Sequence, residues 1–397
     1  MFKYSALSLL LMTTGLFSAE RYAIKEHLGS VSNKSNFLLC ANISASGVDC
    51  GVFSIENNKP ALLLSAYIKN EDIGTNFTDA ISSLLAQLQD TYAITVKYAC
   101  FSGPGVPSAQ QDYLEHWRLP YVIDAKKIIA QNNLASAIIV NDFLAMSYGV
   151  NFVDNKKVTT LYDAPVEYHG RRVIIGAGAG LGTVSMIWNE QQQTYTSFPA
   201  EAGTGDFPPF DAFELELVQR MKKIRNFRTM HWAFCVAEPG IEYIYQILQD
   251  MNYEGCATDK KYPNAMAILA DVNNNACCAK TAELFYKYYA RFVYNFVWNT
   301  LPFGGIYLVG STATEHPEML TSIFLPEYFN CVESKRPLLQ RIPIYIIKDD
   351  VSVGLYGTAQ YFLLEKKELL GSSFLSELHI KISSYWDVVK NKLRMCC

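Results

Sequence analysis

Asn141 and Asp142 stand at the end of the β-branched run Ile138, Ile139, Val140. Such a run reads as a buried strand, and a small apolar segment beginning at Phe143 reads as a helix. At that junction Asn141 or Asp142 can cap the helix by accepting from its unpaired N–H groups. The same carboxylate can instead serve as a general base toward a substrate hydroxyl. That role needs a partly closed cleft and contributes about 10²–10⁴ in rate. Both readings stand on this stretch alone.

In "IGAGAGLGT" (175–183), Gly176, Gly178, Gly180 and Gly182 fall at every second position after a strand-like run. Glycines let backbone N–H groups turn inward and form an anion site; a plain glycine hairpin is the structural alternative. A dinucleotide fingerprint would continue into a helix. Here "VSMIW" follows and reads as a strand, which favours a phosphate loop in a β-hairpin and sets a nicotinamide-dependent dehydrogenase aside. Glu201, in "FPAEAGTGDFPP" (198–209), lies among small residues and before two prolines. It reads as solvated loop surface or as a contact to a polar ligand.

The elements that must position these residues repeat a pattern. "FLLCA", "CGVFSI" and "ALLLSAYI" read as three successive strands. A helix follows, with Phe77, Ile81, Leu84, Leu85 and Leu88 on one face. "ITVKYACF" is a strand, and "IDAKKIIAQNNL" a helix with Asp124 placed to cap it. The strand before Asn141 completes the series. A second series begins with "RRVIIGAG", "GTVSMIW" and "TYTSFP". It continues through helices near 211–224, 240–251 and 279–299, strands at 304–311 and 342–349, and a helix from Gly354. Three strands followed by alternating helices and strands, occurring twice, predict two α/β lobes. Ligands in such sheets bind beyond the carboxyl ends of strands, where Asp142 lies. The predicted organisation is a leader and polar linker over 1–35, a small lobe over 36–150 and a large lobe over 151–371. A C-terminal helical segment, 372–397, is expected to pack on the small lobe.

The 397 residues are half hydrophobic and carry a formal charge of −4, which argues against disorder and gives no reason to expect a nucleic-acid partner. The ten cysteines form no C-x-x-C pair, the six histidines are isolated, and no metal site is expected. Irregular cysteines in apolar runs read as reduced, buried thiols. "MFKYSALSLLLMTTGLFSAE" disagrees with that compartment, because it is close to a secretory signal.

Taken together, "IVNDF", "IGAGAGLG", "FPAEAGTGDF", "EPGIEYIY", "FGGIYLVGS" and "IPIYIIKDDVSVGLYGTA", with "CFSGPG" and "LPYVIDA", resemble the bacterial glucokinase family over about residues 36–370. The resemblance implies a two-lobed actin/hexokinase-like (ribonuclease H-like) fold with a ligand cleft between the lobes. It implies transfer of the ATP γ-phosphate to a hexose, glucose by default, with Mg²⁺ bridging the phosphates. Asp142 would be the catalytic base, and Asn141 and Glu201 would bind the sugar. Gly176, Gly178, Gly180 and Gly182 would form the second phosphate loop, with Gly310 against the adenosine. The first loop, Asp-x-Gly-Gly-Thr in the family, is matched by "NISAS". Asn42 replaces the carboxylate that helps hold Mg²⁺, Ser44 and Ala45 replace glycines, and Ser46 keeps the hydroxyl. Ala179 replaces a threonine of the second loop, Thr204 a histidine and Ala233 a glutamate that contact sugar.

Two functions follow from that pattern. One is an ATP-dependent sugar kinase, weakened or altered in specificity. The other is a catalytically inactive relative that binds a nucleotide, a sugar or a protein. The kinase reading places the chain in the cytoplasm, with export as the alternative the leader raises. A homodimer is expected by resemblance.

Overall fold

Strand β2 (Phe37–Ile43) is buried along nearly its whole length, as a strand covered on both faces must be. In the computed structural model described here, residues 22–27, 37–56, 59–150, 157–256, 260–348 and 350–366 are described. The leader and the segment 372–397 lie outside them. The chain forms two compact units. The first holds residues up to Phe101 and Pro107–Ile139, and the second holds Ser102–Val106 and everything from Val140 onward.

The first unit is built on a sheet in the order β1-β4-β3-β2-β5-β8. Its strands are β1 (Ile24–Glu26), β2, β3 (Gly47–Glu56), β4 (Lys59–Lys69), β5 (Val96–Gly103) and β8 (Ser136–Asn141). The pair β6 (Tyr113–Leu114) and β7 (Ile123–Asp124) forms a separate ribbon. Strands β1 to β4 pair antiparallel. A short helix, α1 (Asn70–Ile73), leads to α2 (Phe77–Tyr92), and α3 (Ala125–Asn132) follows β7. Phe77, Ile81, Leu84 and Leu88 of α2 and Ile128 of α3 enter one core with Leu39, Val52 and Ile139 of the sheet. The Asp124 carboxylate caps α3 by accepting from Lys127 N at 3.1 Å, as the sequence reading expects. Strand β1 lies inside the stretch read as leader and linker. It is held because Ile24–Glu26 pair with Leu64–Ala66 of β4 and because Tyr22 is buried.

The second unit begins with α4 (Asp142–Gly149) and has the sheet order β12-β11-β10-β13-β14-β9. Its strands are β9 (Val158–Tyr162), β10 (Arg172–Ala177), β11 (Leu181–Asn189), β12 (Thr194–Ala200), β13 (Gly305–Val309) and β14 (Ile344–Ile347). Between them run α5 (Ala212–Arg225), α6 (Glu238–Asp250), α7 (Ala265–Ala270) and α8 (Ala276–Thr300). Then come α9 (Ser311–Thr314), α10 (Pro317–Met319), α11 (Leu325–Tyr328), α12 (Arg336–Leu339) and, after β14, α13 (Asp350–Glu365). Alternation along β10 serves two layers. Val173, Ile175 and Ala177 face the α5–α6–α8 core, and Ile174 faces a second core with Phe143 and Met146 of α4 and Val353 of α13. An ion pair between half-buried Arg291 and buried Glu214, at 2.6 Å, ties α8 to α5.

One expectation needs correction. Cys256 and Cys277 are joined by a disulfide, so the cysteines are not all reduced thiols. Their Cα atoms lie 4.6 Å apart because the loop after α6 folds back on the start of α8. By contact the second unit starts at Val140, where α4 packs on the second sheet and on α13. Strand β9 and helix α7 have no counterpart in the sequence reading; Val158–Tyr162 is too polar and too half-buried to alternate clearly.

Candidate active site

Asn141 ends β8 in an extended conformation and is the N-cap of α4. Its Oδ1 accepts from Leu144 N at 2.9 Å, and its Nδ2 donates to Gly105 O at 3.0 Å. The amide therefore joins the helix start to the "SGPG" turn, where Gly105 has φ +90°. Asp142 is the first residue of α4 and half-buried, with Oδ1 accepting from Phe143 N at 2.8 Å. A carboxylate there is favoured by the helix dipole. Of the two neighbours, Asn141 is the one that caps the helix, and the Asp142 carboxylate accepts from the next backbone N–H.

Helix α4 reaches this position through glycine. A Cβ on Gly149 would stand 2.0 Å from Val353 O, and one on Gly357 would stand 1.9 Å from Ala145 O. The two helices approach to backbone contact, which only glycine permits. On its other side α4 lays the Phe143 ring over the paired residues Gly176 and Gly182. A Cβ on either would collide with that ring, at 2.6 and 2.1 Å. Two of the four alternate glycines therefore make room for Phe143. Gly178, at the turn, has nothing within 4 Å of where its Cβ would be.

The turn is braced from behind. Gly178 N donates to Gly180 O at 2.9 Å, Glu238 N to Gly178 O at 2.8 Å, and Thr312 Oγ1 to Ala177 O at 2.5 Å. Gly310 precedes α9 with φ +94°, and a Cβ there would stand 3.1 Å from Ala177 O. The Gly176–Gly182 hairpin and Gly310 thus meet at one corner of the second unit.

Glu201 follows β12 and is exposed; its carbonyl accepts from Thr204 N at 3.0 Å and from Thr204 Oγ1 at 2.7 Å. Thr183 Oγ1 donates to Ala200 O at 2.6 Å, tying this loop to β11. Arg291 donates to Pro208 O at 2.8 Å and secures its far end. Sequence reasoning missed His231. Its ring stacks on Phe234 with centroids 3.7 Å apart, and its backbone bridges to Asp206. Burial pushes its pKa down. His231 therefore lies beside the loop that carries Thr204. Only the bridge between Asp206 and His231 reveals it, and no spacing rule would have.

Asn42 and Ser46 belong to the first unit. Residues 43–48 form a tight hairpin in which Ser44 N donates to Gly47 O at 2.8 Å. Neither Ser44, Ala45 nor Ser46 has a positive φ, so the lost glycines cost no backbone strain. The buried Asn70 amide donates to Ser44 O and Ala45 O at 3.0 and 2.9 Å and accepts from Tyr121 Oη at 2.7 Å. Asn42 pairs directly across the ladder with Asp49, so both side chains share a sheet face. Burial raises the Asp49 carboxyl to about 6. Among the described residues no cluster of three or more His, Cys, Asp or Glu side chains could hold a metal ion.

These two α/β units have the two-lobed actin/hexokinase-like fold of the sugar kinases. The chain resembles the glucokinase of Balamuthia mandrillaris, solved in complex with glucose, with a TM-score of 0.69 at 15% identity over 82% of this chain and 93% of that one. It also resembles a ROK family glucokinase from Streptomyces griseus, solved with glucose and AMPPNP, with a TM-score of 0.55 at 13% identity over 82% and 99%. The glucokinase family profile matches residues 39–365, and the chain belongs to that family. The Nostoc punctiforme glucokinase is 27% identical over 259 residues, covering 61% of this chain and 75% of its own.

Proposed function

We propose that the protein phosphorylates glucose with ATP, using Asp142 as the base that takes the proton of the attacking hydroxyl. The observation that supports this reading is the packing of Phe143, the chain neighbour of Asp142, on Gly176 and Gly182 of the hairpin. Asn141 holds the helix start and keeps a second N–H and a second lone pair with which to bind the sugar. Glu201 is the carboxylate for sugar hydroxyls, on a loop pinned at both ends. The hairpin at Gly178 and Gly180 meets the ATP phosphates, and Gly310 meets the adenosine. Phosphoryl transfer asks chiefly for such positioning.

Mg²⁺ takes one or two carboxylates together with substrate phosphates and waters. The oxygens of Asn42, Ser46 and Asp49 on the first hairpin suit that hydrated ion, which would neutralise phosphate charge. The substitutions at Ser44 and Ala45 are accommodated without backbone strain. The test is hexose-dependent ADP release with Mg·ATP. Turnover on glucose that Asp142→Asn abolishes is expected; equal silence of both proteins across hexoses overturns the reading.

A further inference from the structure

Helix α6 opens on Glu238-Pro239-Gly240, with no side-chain cap at Ala237. An uncapped helix start normally offers free N–H groups to an anion. This one does not. Glu238 N donates to Gly178 O at 2.8 Å, Pro239 has no N–H, and Gly240 N and Ile241 N both donate to Ala237 O, at 2.8 and 3.3 Å. Every donor of the first turn is used.

The Glu238 side chain carries the argument further. Ser311 Oγ donates to its Oε1 at 2.5 Å, and the carboxylate is half-buried. Ser311 follows Gly310, and Thr312 holds the neighbouring carbonyl of Ala177. Glu238 therefore joins the starts of α6 and α9 to the back of the glycine hairpin. In a trans peptide the N–H points opposite to the carbonyl. Anchoring Gly178 O on Glu238 N thus turns the following N–H away from α6. A phosphate beside Glu238 would meet a fixed negative charge. A neutral hydroxyl would meet an acceptor already oriented by Ser311.

We propose that Glu238 is a nucleotide-positioning residue whose carboxylate, held by Ser311, accepts a hydrogen bond from a ribose hydroxyl. Carboxylates take this role toward ribose in other nucleotide folds. The inference rests on the reading of ATP as phosphoryl donor, and it deepens that reading by assigning selection of a ribonucleotide over its deoxy analogues.

The test is calorimetric binding of ADP, 2′-deoxy-ADP and 3′-deoxy-ADP to the wild-type protein, Glu238→Gln, Glu238→Ala and Ser311→Ala. Hydrogen bonds to charged groups predict a ten- to hundredfold loss for one deoxy analogue on the wild-type protein. Glu238→Ala binds ADP at that weakened level and no longer discriminates, Glu238→Gln keeps part of the preference, and the KM for glucose does not move. Tighter ADP binding by Glu238→Ala would place a phosphate at the carboxylate and overturn the proposal. Unchanged discrimination in the variants overturns it too, while leaving glucose phosphorylation intact. Absence of ADP binding by the wild-type protein overturns both the proposal and the kinase reading. If Glu238→Ala fails to fold, the comparison of analogues on the wild-type protein and Glu238→Gln decides.

Discussion

The ring of Phe143 occupies the space that a side chain on Gly182 would need, with Cε2 only 2.1 Å from the missing Cβ. One contact thereby sets the distance between the helix that carries Asp142 and the hairpin that carries the glycines. Gly182→Ala should force the ring and α4 outward, costing about 1–3 kcal/mol by overpacking and lowering kcat. Gly178→Ala meets nothing within 4 Å and should melt within about 0.5 kcal/mol of wild type. Thermal melts of the two variants check this, and equal destabilisation would refute the packing account.

Asp142→Asn is nearly isosteric and can still accept from Phe143 N, so the start of α4 should survive. Removal of a general base should lower kcat by about 10²–10⁴-fold. Nucleotide affinity should change little, because the base acts on the sugar. Steady-state kinetics with direct ADP titration separate the two effects. A variant with full kcat excludes Asp142 as the base.

Periodicity made most of this architecture legible. The alternation in "RVIIGA" places Ile174 in one core and Val173 and Ile175 in the other, as a strand between two layers requires. Asn141 and Asp142 were legible as a pair, but not which of them caps α4, since either residue type caps a helix equally well. The glycines were legible as a turn signal. Their sequence could not say that Gly176 and Gly182 serve Phe143, because that contact joins residues 33 and 39 positions apart. His231 and the Cys256–Cys277 bridge were invisible for the same reason: each depends on a loop returning to a distant segment.

Asp49 gives a pH-dependent stability with a defined sign. Its carboxyl is raised from 3.8 to about 6 by burial, so the folded protein holds this proton more tightly than the unfolded chain. The resulting stability is fully present below about pH 4 and is lost as pH rises through about 6. Asp49→Asn removes the ionisation. It should match wild type near pH 4 and be more stable by roughly 1–3 kcal/mol at pH 7.5. Denaturant titrations at the two pH values read the difference directly. A gap that stays constant between them would mean that Asp49 is not the group responsible.

The Cys256–Cys277 bridge spans 21 positions and ties the segment after α6 to the first turn of α8. Its stabilisation comes mainly from restricting the unfolded chain, about 2–4 kcal/mol for a loop of this length. Both sulfurs are buried in the large core, so a reductant must wait for local opening. Reduction under native conditions should therefore be slow, and reduction after unfolding fast. Cys256→Ser should lower the melting temperature of oxidised protein by several degrees and leave that of fully reduced protein nearly unchanged. Mass spectrometry of a non-reduced digest identifies the linked peptides. If the linked peptide is absent and Cys256→Ser melts like wild type under oxidising conditions, the bridge does not form, and all the core sulfurs behave as small apolar side chains.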